Sequence, residues 1–212
     1  MRKGLLIRFL ILALSGSLIT AGVSVAESQR FQKDLTGDGK PETIVAQEIF
    51  DESDPPGIGY RQAIETRISV LKPDGSVLAE GSARNGKPKI EFINLRKDRR
   101  RQIVVWTLGG MHYTDIAVFE YGDGKLKEIF ADGSACPVNA NFKGKRPTIS
   151  VGREDMKDPS WSYADGPYLW NVYVWNGSEF KFDPAKSTAG EISQEEAASA
   201  YVDRVTKDAG ER

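Results

Sequence analysis

The chain has 212 residues, with 29 Lys and Arg against 30 Asp and Glu, a net charge of −1, one cysteine and one histidine. Near-neutrality removes any general electrostatic reason to hold nucleic acid or an anionic membrane. A lone cysteine excludes an internal disulfide, a lone histidine argues against zinc, and a chain of this length buries about two thirds of its unfolded surface without either.

Residues 1–26 read as a signal peptide. Met1-Arg2-Lys3 is followed by an apolar run from Leu5 to Ile19 whose single charge is Arg8, and Ser24-Val25-Ala26 is a small-x-Ala cleavage site. An uncleaved anchor is the alternative. Cleavage leaves a mildly acidic chain, periplasmic or secreted, without a stable membrane span. The expected organisation is 1–26 signal peptide, 27–188 β-repeat domain, and 189–212 C-terminal helix and tail.

After export comes Asp34-Leu35-Thr36-Gly37-Asp38-Gly39-Lys40-Pro41-Glu42, followed by the apolar strand Thr43-Ile44-Val45-Ala46. Residues 51–57 carry acids and two prolines, which is loop chemistry. Strands are expected at 65–72 and 76–79 around the turn Pro73-Asp74-Gly75, then around Ile90 and Phe92, and at Ile103-Val104-Val105-Trp106. From Thr114 to Tyr121 both alternating faces are largely apolar, so this strand is expected to be interior. Gly122-Asp123-Gly124 turns it into Lys125 to Phe130. Pro147 to Val151, Leu169 to Trp175 and Phe180 to Phe182 complete a run of antiparallel hairpins, with Arg153 to Pro167 as a polar excursion. Ser193 and Glu196 form a capping box for a short closing helix.

The first loop has an echo. Asp34 to Val45 aligns with Asn94 to Val105, placing Leu35 on Leu95, Asp38 on Asp98, Glu42 on Gln102 and Ile44 on Val104. The strands 68–72 and 116–120 correspond as well, and a fainter third copy begins near Phe142-Lys143-Gly144-Lys145-Arg146. About three antiparallel units of this kind predict an all-β, propeller-like repeat domain. A single β-sandwich with similar turns is the competing architecture.

Calcium takes about six to eight hard oxygens. Asp34, Asp38 and Glu42 offer carboxylates, Thr36 a hydroxyl and Lys40 a backbone carbonyl, so these five are the candidate metal residues. The alternative is an Asx-type turn in which Asp34 caps backbone amides. In the second copy Arg96 places a cation where metal charge would sit, so that copy is expected to hold none. On these residues the chain resembles the FG-GAP and VCBS-type calcium-loop repeats of bacterial secreted proteins and integrin-like β-propellers. The resemblance implies extracytoplasmic binding or adhesion with structural calcium, and no particular catalytic chemistry.

Other features are less specific. Cys136 lies in apolar sequence, where a buried thiol is ordinary. His112 is a groove candidate between two strands, and Trp161 and Tyr163 are candidates for an exposed platform for a sugar or peptide. Arg96 to Arg101 is a basic run read as a solvated turn or an anion-binding patch. The leading expectation is therefore a non-enzymatic secreted or periplasmic binding or structural protein, with a protein or carbohydrate ligand and no nucleic acid. The alternatives are a hydrolase using loop acids such as Asp51, Glu52, Asp54, Glu154, Asp155 and Asp158, and an accessory subunit of a larger β assembly.

Overall fold

Tight turns that follow each stretch of alternating apolar residues fold the chain into a succession of hairpins. The structure is a computed structural model, and it describes residues 23–51, 63–84, 86–109, 113–155 and 168–188. Among them are twelve strands and no helix: β1 (Val23–Lys33), β2 (Glu42–Asp51), β3 (Ala63–Leu71), β4 (Val77–Arg84), β5 (Lys87–Ile93), β6 (Gln102–Gly109), β7 (Tyr113–Gly122), β8 (Lys125–Ser134), β9 (Val138–Asn141), β10 (Thr148–Arg153), β11 (Leu169–Trp175) and β12 (Phe180–Phe182). They form three four-stranded antiparallel sheets in the orders β1-β2-β3-β4, β5-β6-β7-β8 and β12-β11-β10-β9. Neighbours in space are thus neighbours in sequence, as the hairpin reading anticipates. Most of the expected signal peptide, the 52–62 loop and the closing helix over 189–212 lie outside the described residues.

Two hydrophobic cores explain how the sheets stack. Ile44, Ala46, Ile68 and Val70 of the first sheet pack against Ile103, Val105, Ala117 and Phe119 of the second. The alternate residues of the second sheet, Val104, Ile116 and Val118, join Ile149, Val151, Trp175 and Phe180 of the third. Register puts Val104 opposite Val118 and Ile103 opposite Phe119, so β6 and β7 are covered on both faces. The interior position expected for residues 114–121 is therefore observed.

The propeller-like architecture is not. No sheet closes on itself, and the packed strand pairs join the first sheet to the second and the second to the third. The physical reason is facial composition. A ring needs every blade to bury both faces against neighbours, usually with at least about four blades. Here the face of the first sheet turned away from its core mixes the polar Gln47, Arg67, Ser69 and Glu80 with the apolar Val45 and Ile49, and no fourth sheet packs on it among the described residues.

Three further differences arise from non-local pairing. β1 is polar except at a few positions, and its pairing with β2 makes it a strand. It begins at Val23, within the expected signal peptide, but a register shift between Val25 and Ser28 separates that start from the continuous ladder Ser28–Lys33. β8 continues past Phe130 to Ser134, and Arg153 belongs to β10 rather than to a polar excursion.

Candidate functional site

The three sheets share a polarity. At one end lie the 34–41 and 94–101 loops, the third loop after Asn141, and the short turns after β3, β7 and β11. At the other end lie the strand termini joined by segments 52–62, 110–112 and 156–167, whose residues are outside the described ones. Each end carries one candidate site.

At the first end the loop chemistry is local. Asp34 accepts from the Gly37 amide through Oδ1 at 2.6 Å and from the Gly39 amide through Oδ2 at 2.9 Å. Glu42 Oε2 accepts from the Leu35 amide at 2.8 Å, and Asp38 Oδ1 from the Lys40 amide at 2.8 Å. The Thr36 hydroxyl lies 3.4 Å from both Asp34 Oδ1 and Glu42 Oε1. Thus Asp34, Thr36 and Glu42 converge, whereas Asp38 caps the following turn and Lys40 is exposed. Partial desolvation, the largest single influence, works to raise the Asp34 pKa; the Gly37 and Gly39 amides with Thr36 outweigh it and hold the carboxyl below its usual value. No group of three or more His, Cys, Asp or Glu side chains suited to a metal occurs among the described residues.

The second copy repeats this backbone with different side chains. The Leu95 amide donates to Gln102 Oε1 at 2.8 Å, and the Arg100 amide to Asp98 Oδ1 at 2.8 Å. Lys97 adopts a left-handed φ of 57°, where the first copy has Gly37 at 82°. Arg96 pairs with Glu120 through two nitrogens, with Nη2 to Oε2 at 2.7 Å, and reaches the Gly177 carbonyl at 3.0 Å. In the third copy the Lys143 amide donates to Asn141 Oδ1 at 3.2 Å.

The other end holds a cleft of about 370 Å³ between the first and second sheets. β3 and β4 supply Glu65 and Arg84, while β7 and β8 supply Asp115, Glu128 and Asp132. Ile64 at its edge is half exposed. Behind the cleft, between the second and third sheets, Arg153 is only 2% exposed. Its Nη2 donates to both oxygens of Asp132, at 2.7 and 2.6 Å, and its Nη1 to the Gly133 carbonyl at 2.6 Å. Tyr173 also donates to Asp132, at 3.1 Å. Burial, then the neighbouring Asp132 charge, pushes the Tyr173 hydroxyl up to about 12.

Sequence reasoning missed this network. The available signal was period-2 alternation, since Ile149, Val151 and Arg153 share the core-facing side of β10. Cys136 is buried beside it as expected, and burial pushes its thiol up despite the Ser134 hydroxyl and Arg153. Glu154 and Asp155 follow β10 half-buried, and Asp51 ends β2. His112, Trp161, Tyr163, Glu52, Asp54 and Asp158 lie outside the described residues.

No family model matches the chain, and no curated protein or solved structure is significantly similar to it. The likeness to FG-GAP and VCBS-type repeats therefore gains no support from these comparisons, and the open stack of sheets conflicts with the propeller that likeness implies. No helix among the described residues is long and apolar enough to cross a membrane.

Proposed function

We propose that this chain is a non-enzymatic binding protein of the secreted or periplasmic space, which takes a small cationic ligand or a partner's basic side chain into the cleft between the first two sheets. The observation that carries this reading is the composition of the cleft. Its volume of about 370 Å³ falls among ligand sites, which span roughly 300–1,000 Å³. Three acids, Glu65, Asp115 and Glu128, line it against the single cation Arg84, while the carboxylate of the fourth lining acid, Asp132, is held by Arg153. The nearby reactive groups favour binding over catalysis. The Cys136 thiol is raised away from its nucleophilic form, and Asp132 is occupied by Arg153 and Tyr173.

A lysine-rich tetrapeptide is a direct probe by isothermal titration. Glu65→Gln combined with Glu128→Gln should weaken it about tenfold, and Ala131→Trp on the cleft lining should abolish it. Affinity that neither variant changes would reject the cleft.

Calcium at the first loop is a second proposal, supported by the convergence of Asp34, Thr36 and Glu42 oxygens. Calcium should then raise the melting temperature of the parent protein, and Glu42→Gln should remove that increment. An identical melting curve in calcium and in chelator would sink it.

A further inference from the structure

The end opposite the cleft carries a concentration of positive charge that the net charge of the chain conceals. The second and third copies of the loop, residues 94–101 and 141–147, expose Lys97, Arg99, Arg100, Lys143, Lys145 and Arg146. They contain one acid, Asp98, which is taken by Arg100 at 2.6 Å. Of the two cations of the second loop that are only partly exposed, Arg96 is neutralised by Glu120 and Arg101 leads into the following strand. Among the described residues, Lys97, Arg99, Lys143, Lys145 and Arg146 form no ion pair.

These two loops are held side by side. Leu95 and Phe142 enter the same core, Arg96 reaches across to Gly177, and the Trp175 amide donates to the Pro147 carbonyl at 2.9 Å. Packed sheets lie about 10 Å apart. The loops therefore form a short basic band across the junction of the second and third sheets, on rigid strand ends that limit the entropy lost on contact.

We propose that this band binds a linear acidic polysaccharide, whose carboxylate or sulfate groups meet the free lysines and arginines. Two observations select this polyanion. The first loop abuts the band, with Gly37 close against Arg99, and exposes Asp38 at the same end. Exposed Asp38 is matched there by exposed Lys40, so the first loop adds no net positive charge, and the free cations are confined to a narrow strip along the second and third loops that a thin chain covers more fully than a planar surface. In addition, no aromatic side chain is exposed among the described residues, and Phe142, Trp175 and Phe180 are packed into the core. The stacking platform that single-stranded nucleic acid uses is missing from this surface.

This surface is independent of the cleft, so either can fail without the other. The test uses the full chain with heparin and polygalacturonate as probes, beside anionic phosphatidylglycerol vesicles and a single-stranded oligonucleotide. Both polysaccharides should bind, with affinity falling steeply as salt rises. Combined Lys143→Glu, Lys145→Glu and Arg146→Glu should weaken binding at least about tenfold, and Lys97→Glu with Arg99→Glu similarly. Lys72→Glu, in the β3–β4 turn of the first sheet, should change it less than about twofold. All three variants alter exposed turns, and unchanged melting curves establish that they fold. Polysaccharide binding that the basic-band variants leave intact would overturn the proposal, as would vesicles or the oligonucleotide binding as tightly through the same residues.

Discussion

Leu35 and Leu95 occupy equivalent points in the two best copies of the repeat, each buried, and each with its amide donating 2.8 Å to the side chain that opens the following strand. In the first copy that acceptor is the carboxylate of Glu42. In the second it is the amide of Gln102, which is fully buried and also touches Glu120 at 3.3 Å. The first loop gathers acids around its own backbone amides. The second sends Arg96 out to Glu120, to Gly177 and over the ring of Trp175, and so fastens the second sheet to the third. One backbone solution thus serves in the outer sheet as a turn closed by its own acids and joined to the next layer through the backbone, where the Arg101 amide donates to the Leu35 carbonyl at 3.3 Å, and in the middle sheet as a tie made by a side chain. The difference follows from position, because among the described residues the middle sheet is the one with a sheet packed on both faces.

Three experiments would sharpen or break this comparison. The largest effect is expected at Gln102. Gln102→Leu leaves the Leu95 amide without its acceptor inside the core, a loss of about 1–3 kcal/mol, whereas Glu42→Gln installs the second copy's residue and, in chelator, should change stability by less than about 0.5 kcal/mol. Urea unfolding of both variants measures the contrast, and an equal or larger loss at Glu42 would end it.

An intermediate effect is expected from exchanging the left-handed residues. Gly37→Lys builds a Cβ 2.9 Å from Arg99 Cβ and 3.1 Å from the Arg100 nitrogen, so it should destabilise by on the order of 1–2 kcal/mol. Lys97→Gly removes a left-handed side chain, with φ at 57°, and should be neutral or stabilising by up to about 1 kcal/mol. Thermal melts that shift in the same direction for both would show that the two loops do not share a conformational constraint.

The smallest effect concerns pH. The Arg96 hydrogen bond, the largest influence, holds the Glu120 carboxyl below its ordinary value of 4.5. A carboxyl depressed in the folded state contributes stability above its unfolded value and loses it as pH falls through the folded value. Stability should therefore decline from about pH 4.5 downward, and Glu120→Gln should flatten part of that decline. An unchanged acid limb in the variant would show that the Arg96 pair does not couple stability to pH.

Much of the local structure was legible. The Asx-type turn at Asp34, one of the two readings of that loop, the correspondence of Asp38 with Asp98, the hairpin turns and the two apolar faces of β7 all follow from residues within a few positions of one another. The buried ion pair was less legible. Arg153 sits in sequence at the margin of a polar stretch, and its burial depends on Asp132, Gly133 and Tyr173, which come from two other strands. β1 escaped notice because its alternating polar residues become a strand through the ladder with β2.

By itself the sequence determined that the region between the first acidic loop and Phe182 is built of repeated antiparallel hairpins, and it left the Asp34 loop open between a calcium site and a self-capped turn, because turn chemistry and period-2 alternation act over short range. Tertiary structure decided that three such units stack as open sheets instead of closing into a ring. It also decided which charges are neutralised inside and which stand free at one end. Those outcomes depend on what covers each face of a sheet, and coverage is a property of the packed layers.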